Sequence, residues 1–331
     1  MRRIFFLLVV LFSFGCSNAS VKILKTVEMV DTLKMNTLVL AEELLMPTRL
    51  IASDGKLIIY QRKSEDVFIM LDISCGGIFE VIGKRGRGPN EFMNVDVQSL
   101  KPIDGGFICM DAGGRVCKIK IADDVDFVTE QMSTFGHPQN GLILQDYFVA
   151  ANLVSDEAEF VRYSRNVSEP RYFAEYPDWT DDDGQPLPFV YMKNMVAHPT
   201  RNLFAAFYAY FRKFRIFDAD GSLKYDVDVR IPDEFPAYTS DASTATLAYA
   251  SYPCATAKHI YALCRNSDVA SMKESIPEIH VFDWNGNLQK RIIPDRHMDL
   301  FAVDEEYGII YGLDIENANV VYYVDDSTLH F

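Results

Sequence analysis

The sequence predicts an all-β chain folded as a six-bladed β-propeller, with four antiparallel strands per blade and the ring closed by an N-terminal strand. Three observations predict this. A short β-rich pattern ending in Asp recurs along the chain, at a spacing of about 50 residues, which is the size of a propeller blade. Asp-Gly and Asn-Gly turns, the strongest short-range hairpin signals, join neighbouring runs. Finally, the last unit lacks its fourth strand, while the N-terminal region carries surplus strand sequence.

The pattern is clearest in Phe68-Ile69-Met70-Leu71-Asp72, Phe214-Arg215-Ile216-Phe217-Asp218, Ile279-His280-Val281-Phe282-Asp283 and Val321-Tyr322-Tyr323-Val324-Asp325. Weaker copies occupy residues 116–120 and 160–164. These are the third strands, c, of six units. The second strands, b, are the apolar runs at 57–60, 107–110, 147–151, 203–207, 260–263 and 309–313. The first strands, a, are read at 50–52, 95–100, 141–144, 195–198, 246–250 and 300–303. Fourth strands, d, follow turns at Gly76-Gly77, Asp220-Gly221 and Asn285-Gly286-Asn287, giving 78–82, 223–229 and 288–293. The sixth unit ends about six residues after its third strand, so residues 21–27 or 38–40 must supply its outer strand. Radial closure of this kind protects sheet edges.

Composition agrees with one large folded unit. Of 331 residues, 49% are hydrophobic and 13% aromatic, ample for a core. The net charge of −15 opposes a phosphate backbone, which argues against nucleic acid as a partner.

The N-terminus reads as a sorting signal. Arg2 and Arg3 precede the apolar stretch 4–12, too short for a permanent membrane span. Ser13-Phe14-Gly15-Cys16 follows and resembles a bacterial lipobox, although Ser13 and Phe14 replace the usual Leu and small residue. The chain therefore divides into a signal peptide (1–15), a lipidated tether starting at Cys16 (16–20) and the propeller (21–331). Cleavage after Ala19 is the alternative, since Ser17-Asn18-Ala19 also satisfies the small-x-small rule. Lipidation makes the membrane a partner through the anchor. No acidic run follows Cys16, whereas surface-exported lipoproteins of the Bacteroidetes resemble one another in carrying one; that comparison implies an outer-membrane lipoprotein facing the periplasm. The other cysteines, 75, 109, 117, 254 and 264, have no metal or CxxC spacing and read as free structural thiols. Cys109 and Cys117 flank a Gly113-Gly114 turn and could oppose each other across a hairpin.

The first unit ends in Gly83-Lys84-Arg85-Gly86-Arg87-Gly88-Pro89-Asn90-Glu91-Phe92. This stretch resembles the glycine-rich crossover of NHL-like propellers, and still more closely that of the six-bladed TolB-like propeller lipoproteins of Bacteroidetes. The resemblance implies an exported six-bladed propeller that binds or assembles more often than it catalyses. In physical terms, the glycines permit the crossover and Phe92 plugs the first interblade junction. A phosphate-cradling loop would need Gly-Lys-Ser/Thr entering a helix; this run enters a strand.

Propeller geometry then locates a working face. The d–a and b–c connections share one face, and the a–b and c–d turns share the other. The long segments 83–94, 177–194, 231–243 and 265–278 all belong to the first. Loops held by a rigid scaffold carry function. The candidate ligand-binding residues there are Arg85, Arg87, Trp179, Asp181, Asp182, Asp183, Tyr191 and Tyr238, with Phe235 beside them. Aromatic rings flanked by charge suit a glycan or a peptide, or an envelope protein presenting one. The packing alternative has Arg85 and Arg87 pairing with the acidic loop while the rings cover blade ends.

Other constellations are weaker. The six histidines lack ligand spacing. Asp181-Asp182-Asp183-Gly184 offers carboxylates to Ca²⁺, without the alternation of an EF-hand loop. No Gly-x-Ser-x-Gly elbow occurs. The reading is thus a non-enzymatic binding propeller without a catalytic site or resident metal. The alternative is a metal-dependent lactonase- or lyase-like enzyme, its carboxylates converging in the central funnel.

Overall fold

The computed structural model describes residues 19–325, apart from 28, 74–77, 113, 122–124, 132–139, 165–166, 182–183, 232–233 and 242. Cys16, Cys75, Asp182 and Asp183 lie outside the described residues, as do the leader and the Gly76-Gly77 turn.

Six sheets surround an axis, as the repeat predicts. Blade 1 comprises Pro47–Ser53, Lys56–Gln61, Asp66–Asp72 and Ile78–Arg85. Blade 2 comprises Asp96–Ile103, Gly106–Asp111, Arg115–Ile121 and Val125–Gln131. Blade 3 comprises Gly141–Ile143, Tyr147–Ala151, Phe160–Ser164 and Val167–Phe173. Blade 4 comprises Lys193–Ala197, Leu203–Tyr208, Lys213–Asp218 and Leu223–Val229. Blade 5 comprises Cys254–Ala255, His259–Cys264, Glu278–Asp283 and Leu288–Pro294. Blade 6 comprises Leu300–Asp304, Ile309–Leu313 and Val320–Asp325, and it borrows its outer strand.

The lender is the N-terminal segment, which forms three strands: β1 (Ser20–Leu24), β2 (Met29–Leu33) and β3 (Asn36–Val39). Of the two surplus runs, the second closes the ring, β3 pairing antiparallel with the blade 6 c strand from Tyr323↔Asn36 to Val320↔Val39. β1 and β2 are additional fifth strands, laid parallel on the outer edges of blades 4 and 5. One segment thus covers the rims of three consecutive blades, supplying backbone partners that an open edge would lack.

The blades are held by apolar clusters between them. Phe68, Phe92 and Phe107 fill the junction of blades 1 and 2, and Phe160, Phe204 and Phe217 that of blades 3 and 4. Phe207, Phe214 and Phe282 fill the junction of blades 4 and 5. Each ring buried there is worth about 1.5–3 kcal/mol over exposure.

The glycine-rich crossover performs its predicted structural task. Gly83 has φ +75°, and a Cβ there would lie 2.4 Å from the Phe92 ring. Phe92 meets Phe68 edge to face at 5.1 Å. The Glu91 carboxylate accepts the Gly88 N–H at 2.7 Å, tying the loop to itself. Cys109 and Cys117 do oppose each other across the blade 2 hairpin, both buried and unbridged.

Blade 5 corrects one expectation. Its inner strand is Cys254–Ala255, whereas within 246–250 the pair Thr246–Leu247 joins Ser267–Asp268 in a separate two-stranded ladder. Ala248 and Tyr249 are drawn into the junction of blades 4 and 5 instead of lining the axis. This ladder links the d–a and b–c excursions of blade 5.

Candidate functional site

The predicted residues on the d–a/b–c face do not gather in one place. Arg85 and Arg87 stand on the crossover from blade 1 to blade 2, while Trp179, Tyr191 and Tyr238 lie around blade 4. The Arg85 guanidinium donates to the carbonyls of Arg62 (2.9 Å), Ser64 (3.1 Å) and Met93 (3.1 Å), lacing the blade 1 b–c loop to the crossover. Among the described residues its hydrogen bonds go to backbone carbonyls; Asp182 and Asp183 of the acidic loop that the packing alternative named lie outside the described residues. Arg87 and Asp181 are exposed.

Trp179 and Tyr238 do share a concavity, and they bring residues that the sequence reading missed. A pocket of about 250 Å³ is walled by Trp179, Phe211, Phe235 and Tyr238. Arg212 forms its base, stacked 5.1 Å from the Phe235 ring and donating to the Ile231 carbonyl. Lys213 and Arg230 stand on its rim with Asp228 and Glu234. Asp228 accepts from Arg230 at 3.0 Å and lies 3.6 Å from Lys213. The signal in the sequence was the run Tyr210-Phe211-Arg212-Lys213, where aromatic and basic residues occupy the blade 4 b–c turn.

Tyr191 is a correction. It is only 1% exposed and therefore offers nothing to a ligand. Its ring stacks on Phe211 at 5.4 Å, and Phe211 stacks in turn on Tyr238 at 5.7 Å. Its hydroxyl accepts the Trp179 N–H at 3.2 Å. The short helix Leu187–Val190 delivers Tyr191 to this position beneath the pocket wall.

Under the pocket lies a buried charge network. The Glu159 carboxylate, fully buried, meets Lys193 Nζ at 2.7 Å, the Tyr208 hydroxyl at 2.5 Å and Arg215 Nη1 at 3.4 Å. Arg215 also meets Asp226 at 3.0 Å. Burial holds the Lys193 ammonium below its ordinary pKa, with Glu159 opposing that shift, and burial pushes the Tyr208 phenol well up. Lys213 and Arg215 lie 4.7 Å and 5.4 Å from the Trp179 ring centre, so this network holds the pocket wall in place.

The axis presents different chemistry. On the d–a/b–c side two side chains bridge it: Arg49 of blade 1 donates to the Pro253 carbonyl before blade 5 (2.9 Å), and Gln98 of blade 2 forms a reciprocal pair with the Met195 backbone of blade 4. Beyond them runs a narrow channel of about 30 Å³, lined by inner strands of all six blades. It widens on the a–b/c–d face into a funnel of about 530 Å³, bordered by Asp54, Asp104, Asp304, Glu305, Glu306 and Lys258. Several of these acids are committed to the fold. Asp304 accepts the N–H groups of Gly55 (2.8 Å) and Tyr307 (3.2 Å), and Glu305 meets His259 at 3.1 Å.

Among the described residues, one trio comes within metal-ligand spacing, and it lies at the junction of blades 5 and 6: His297, Asp299 and Asp314. Its atoms are largely engaged. Asp299 Oδ1 accepts from Arg265 Nη2 at 3.0 Å, its Oδ2 accepts the Ile315 N–H, and Asp314 caps a helical turn through the Glu316 N–H. Arg265 already supplies the positive charge there, which does not suit a divalent ion.

No protein-family model matches the sequence, and no curated protein matches it either. Solved structures do resemble the fold. A member of the DUF4221 family from Bacteroides vulgatus superposes with a TM-score of 0.55 at 11% identity, covering 88% of this chain and 95% of that one. Virginiamycin B lyase from Staphylococcus aureus gives 0.45 at 11% identity, over 87% of this chain and 98% of the lyase. At such identities the likeness concerns the propeller fold alone.

Proposed function

We propose that this chain is an exported lipoprotein of the TolB-like, NHL-like kind, facing the periplasm from the outer membrane, and that it binds a glycan or peptide without transforming it. The ligand site is the pocket at blade 4. The observation that carries this reading is the pocket itself: four aromatic walls, a cationic base and a rim of mixed charge, on the face where the long loops gather. Aromatic faces take the apolar face of a sugar ring or a peptide side chain, and the rim orients its polar groups.

The course of β1 supports the same reading. Ser20 pairs with Tyr225 near the blade 4 c–d turn, and Leu24 with Val229 at the d–a end. The tether therefore leaves from the a–b/c–d face. Cys16 lies four residues upstream, a reach of roughly 13 Å. An acyl anchor there sets the funnel face toward the bilayer and leaves the pocket open to solvent.

Two measurements test this reading. Cys16→Ala should shift the protein from the membrane pellet to the soluble fraction; continued sedimentation with membranes would remove the anchor from the proposal. A thermal-shift screen of glycans and peptides should yield a stabilising ligand. Tyr238→Ala and Phe235→Ala should each weaken it about tenfold or more, roughly 1.4 kcal/mol. Unchanged affinity in both variants would move the site elsewhere.

A further inference from the structure

We propose that the axial channel holds a small monovalent anion, of chloride size, bound to Arg49. Arg49 is 5% exposed, and its charge has no acidic partner among the described residues. Its contacts are one hydrogen bond from Nη2 to the Pro253 carbonyl and the face of Tyr252 at 4.9 Å. Nε is buried and, among the described residues, has no hydrogen-bond partner. A buried ion without a counter-charge is among the most expensive features a fold can carry. That cost is visible in the side chain's own acidity, since burial lowers its pKa to about 10.

The channel that Arg49 lines has matching chemistry and size. Among the described residues its lining includes no carboxylate, and Lys101, which also lines it, is engaged by the Ile143 carbonyl at 2.8 Å, so the proposal rests on Arg49. The other lining groups are apolar side chains, Gln98, Ser99 and the Cys254 thiol. Burial raises that thiol to about 12, so it stays neutral and supplies no counter-charge. Gln98 is occupied by the Met195 backbone, and the Ser99 hydroxyl by the Asp96 carbonyl and the Met110 N–H. About 30 Å³ accommodates one halide or a pair of waters, and excludes a sugar, a nucleotide or a polyanion. A water would satisfy the hydrogen bond and leave the charge uncompensated; a halide supplies both. The acids around the funnel repel an anion from the open side, so exchange through the folded ring is slow and the ion is acquired as the blades close.

Melting curves at constant ionic strength test this, with chloride exchanged against an anion too large for the channel, such as gluconate. An ion bound only by the folded state raises the melting temperature with its concentration. Chloride from 1 to 100 mM should raise it by several degrees in the wild type and leave Arg49→Gln unmoved. Because that variant also loses the Pro253 hydrogen bond and the Tyr252 ring contact, a second measurement uses the wild type: crystals of protein refolded in sodium bromide should show an anomalous peak beside Arg49 Nε. A water at that position, with melting insensitive to chloride, would overturn the proposal. A chloride response that persists in Arg49→Gln, with no bromide peak, would mark adventitious surface binding only and overturn it equally.

Discussion

Removing residues 19–40 is expected to lower the melting temperature by more than 10 °C or to abolish folding of the monomer, because blade 6 then keeps three strands and an open edge. The effect should build up stepwise. β1 alternates between exposed and half-buried positions, and only Leu24 packs against the junction of blades 4 and 5. Deleting it alone leaves blade 4 with its own four strands and should cost a few degrees. β2 contributes Leu33, and Met35 follows it, both buried between blades 5 and 6. β3 adds Leu38, while Leu40 and Leu44 beyond it enter the core between blades 6 and 1. Each large apolar side chain withdrawn from such a core costs about 2–5 kcal/mol. The steepest drop should therefore come with β3. A nested series of truncations, each followed by thermal unfolding, reads this order directly. Equal losses at each step, or a full loss with β1 alone, would mean that the segment acts as a single clasp and not as a closing strand with two additions.

This segment also shows what the sequence could and could not reveal. The need for a closing strand was legible, because the sixth unit stops one strand short and two β-rich runs remained at the other end. The parallel addition of β1 and β2 was not. Parallel edge addition leaves no turn signature, and both strands are half exposed, so their periodicity carries little. Blade 5 failed for a related reason. Residues 246–250 look more strand-like than Cys254–Ala255, yet position along the inner ring is decided by which side chains the neighbouring blades bury. At the candidate site, Trp179 and Tyr238 stood out as rings in long loops. Tyr191 looked the same and proved to be buried, since composition does not say which of several rings ends underneath. Arg212 and Lys213 were hidden in a turn of a few residues that reads as a continuation of the strand before it. Glu159 and Arg49 look like ordinary loop and strand charges until the blades enclose them.

Glu159 makes the second large prediction. Among the described residues, Glu159→Leu strips the only carboxylate from Lys193 and one of two from Arg215. Breaking a buried pair by deleting one member costs about 3–5 kcal/mol, as the surviving charge is stranded. For a chain of this length that corresponds to roughly 4–7 °C in melting temperature. Lys193 is enclosed by the rings of Phe160, Tyr176 and Tyr208, at 5.0, 4.9 and 5.4 Å. Burial already holds its pKa down, and without Glu159 it should fall further, until the amine is neutral in the folded state. The sign of the pH dependence follows. The unfolded lysine keeps its ordinary pKa and binds a proton that the folded one has lost, so stability of the variant rises with pH across that interval. Its deficit relative to wild type should thus shrink between pH 7 and pH 10. Replacing Lys193 by Met in the same chain should recover much of the loss and remove the pH dependence, since no stranded ammonium remains. A single variant as stable as wild type, or a double variant no better than the single, would show that the network contributes shape and not charge. Because Arg215 and Lys213 lie against Trp179, the single variant should also lose ligand at the blade 4 pocket, linking the stability of the buried ions to the binding surface above them.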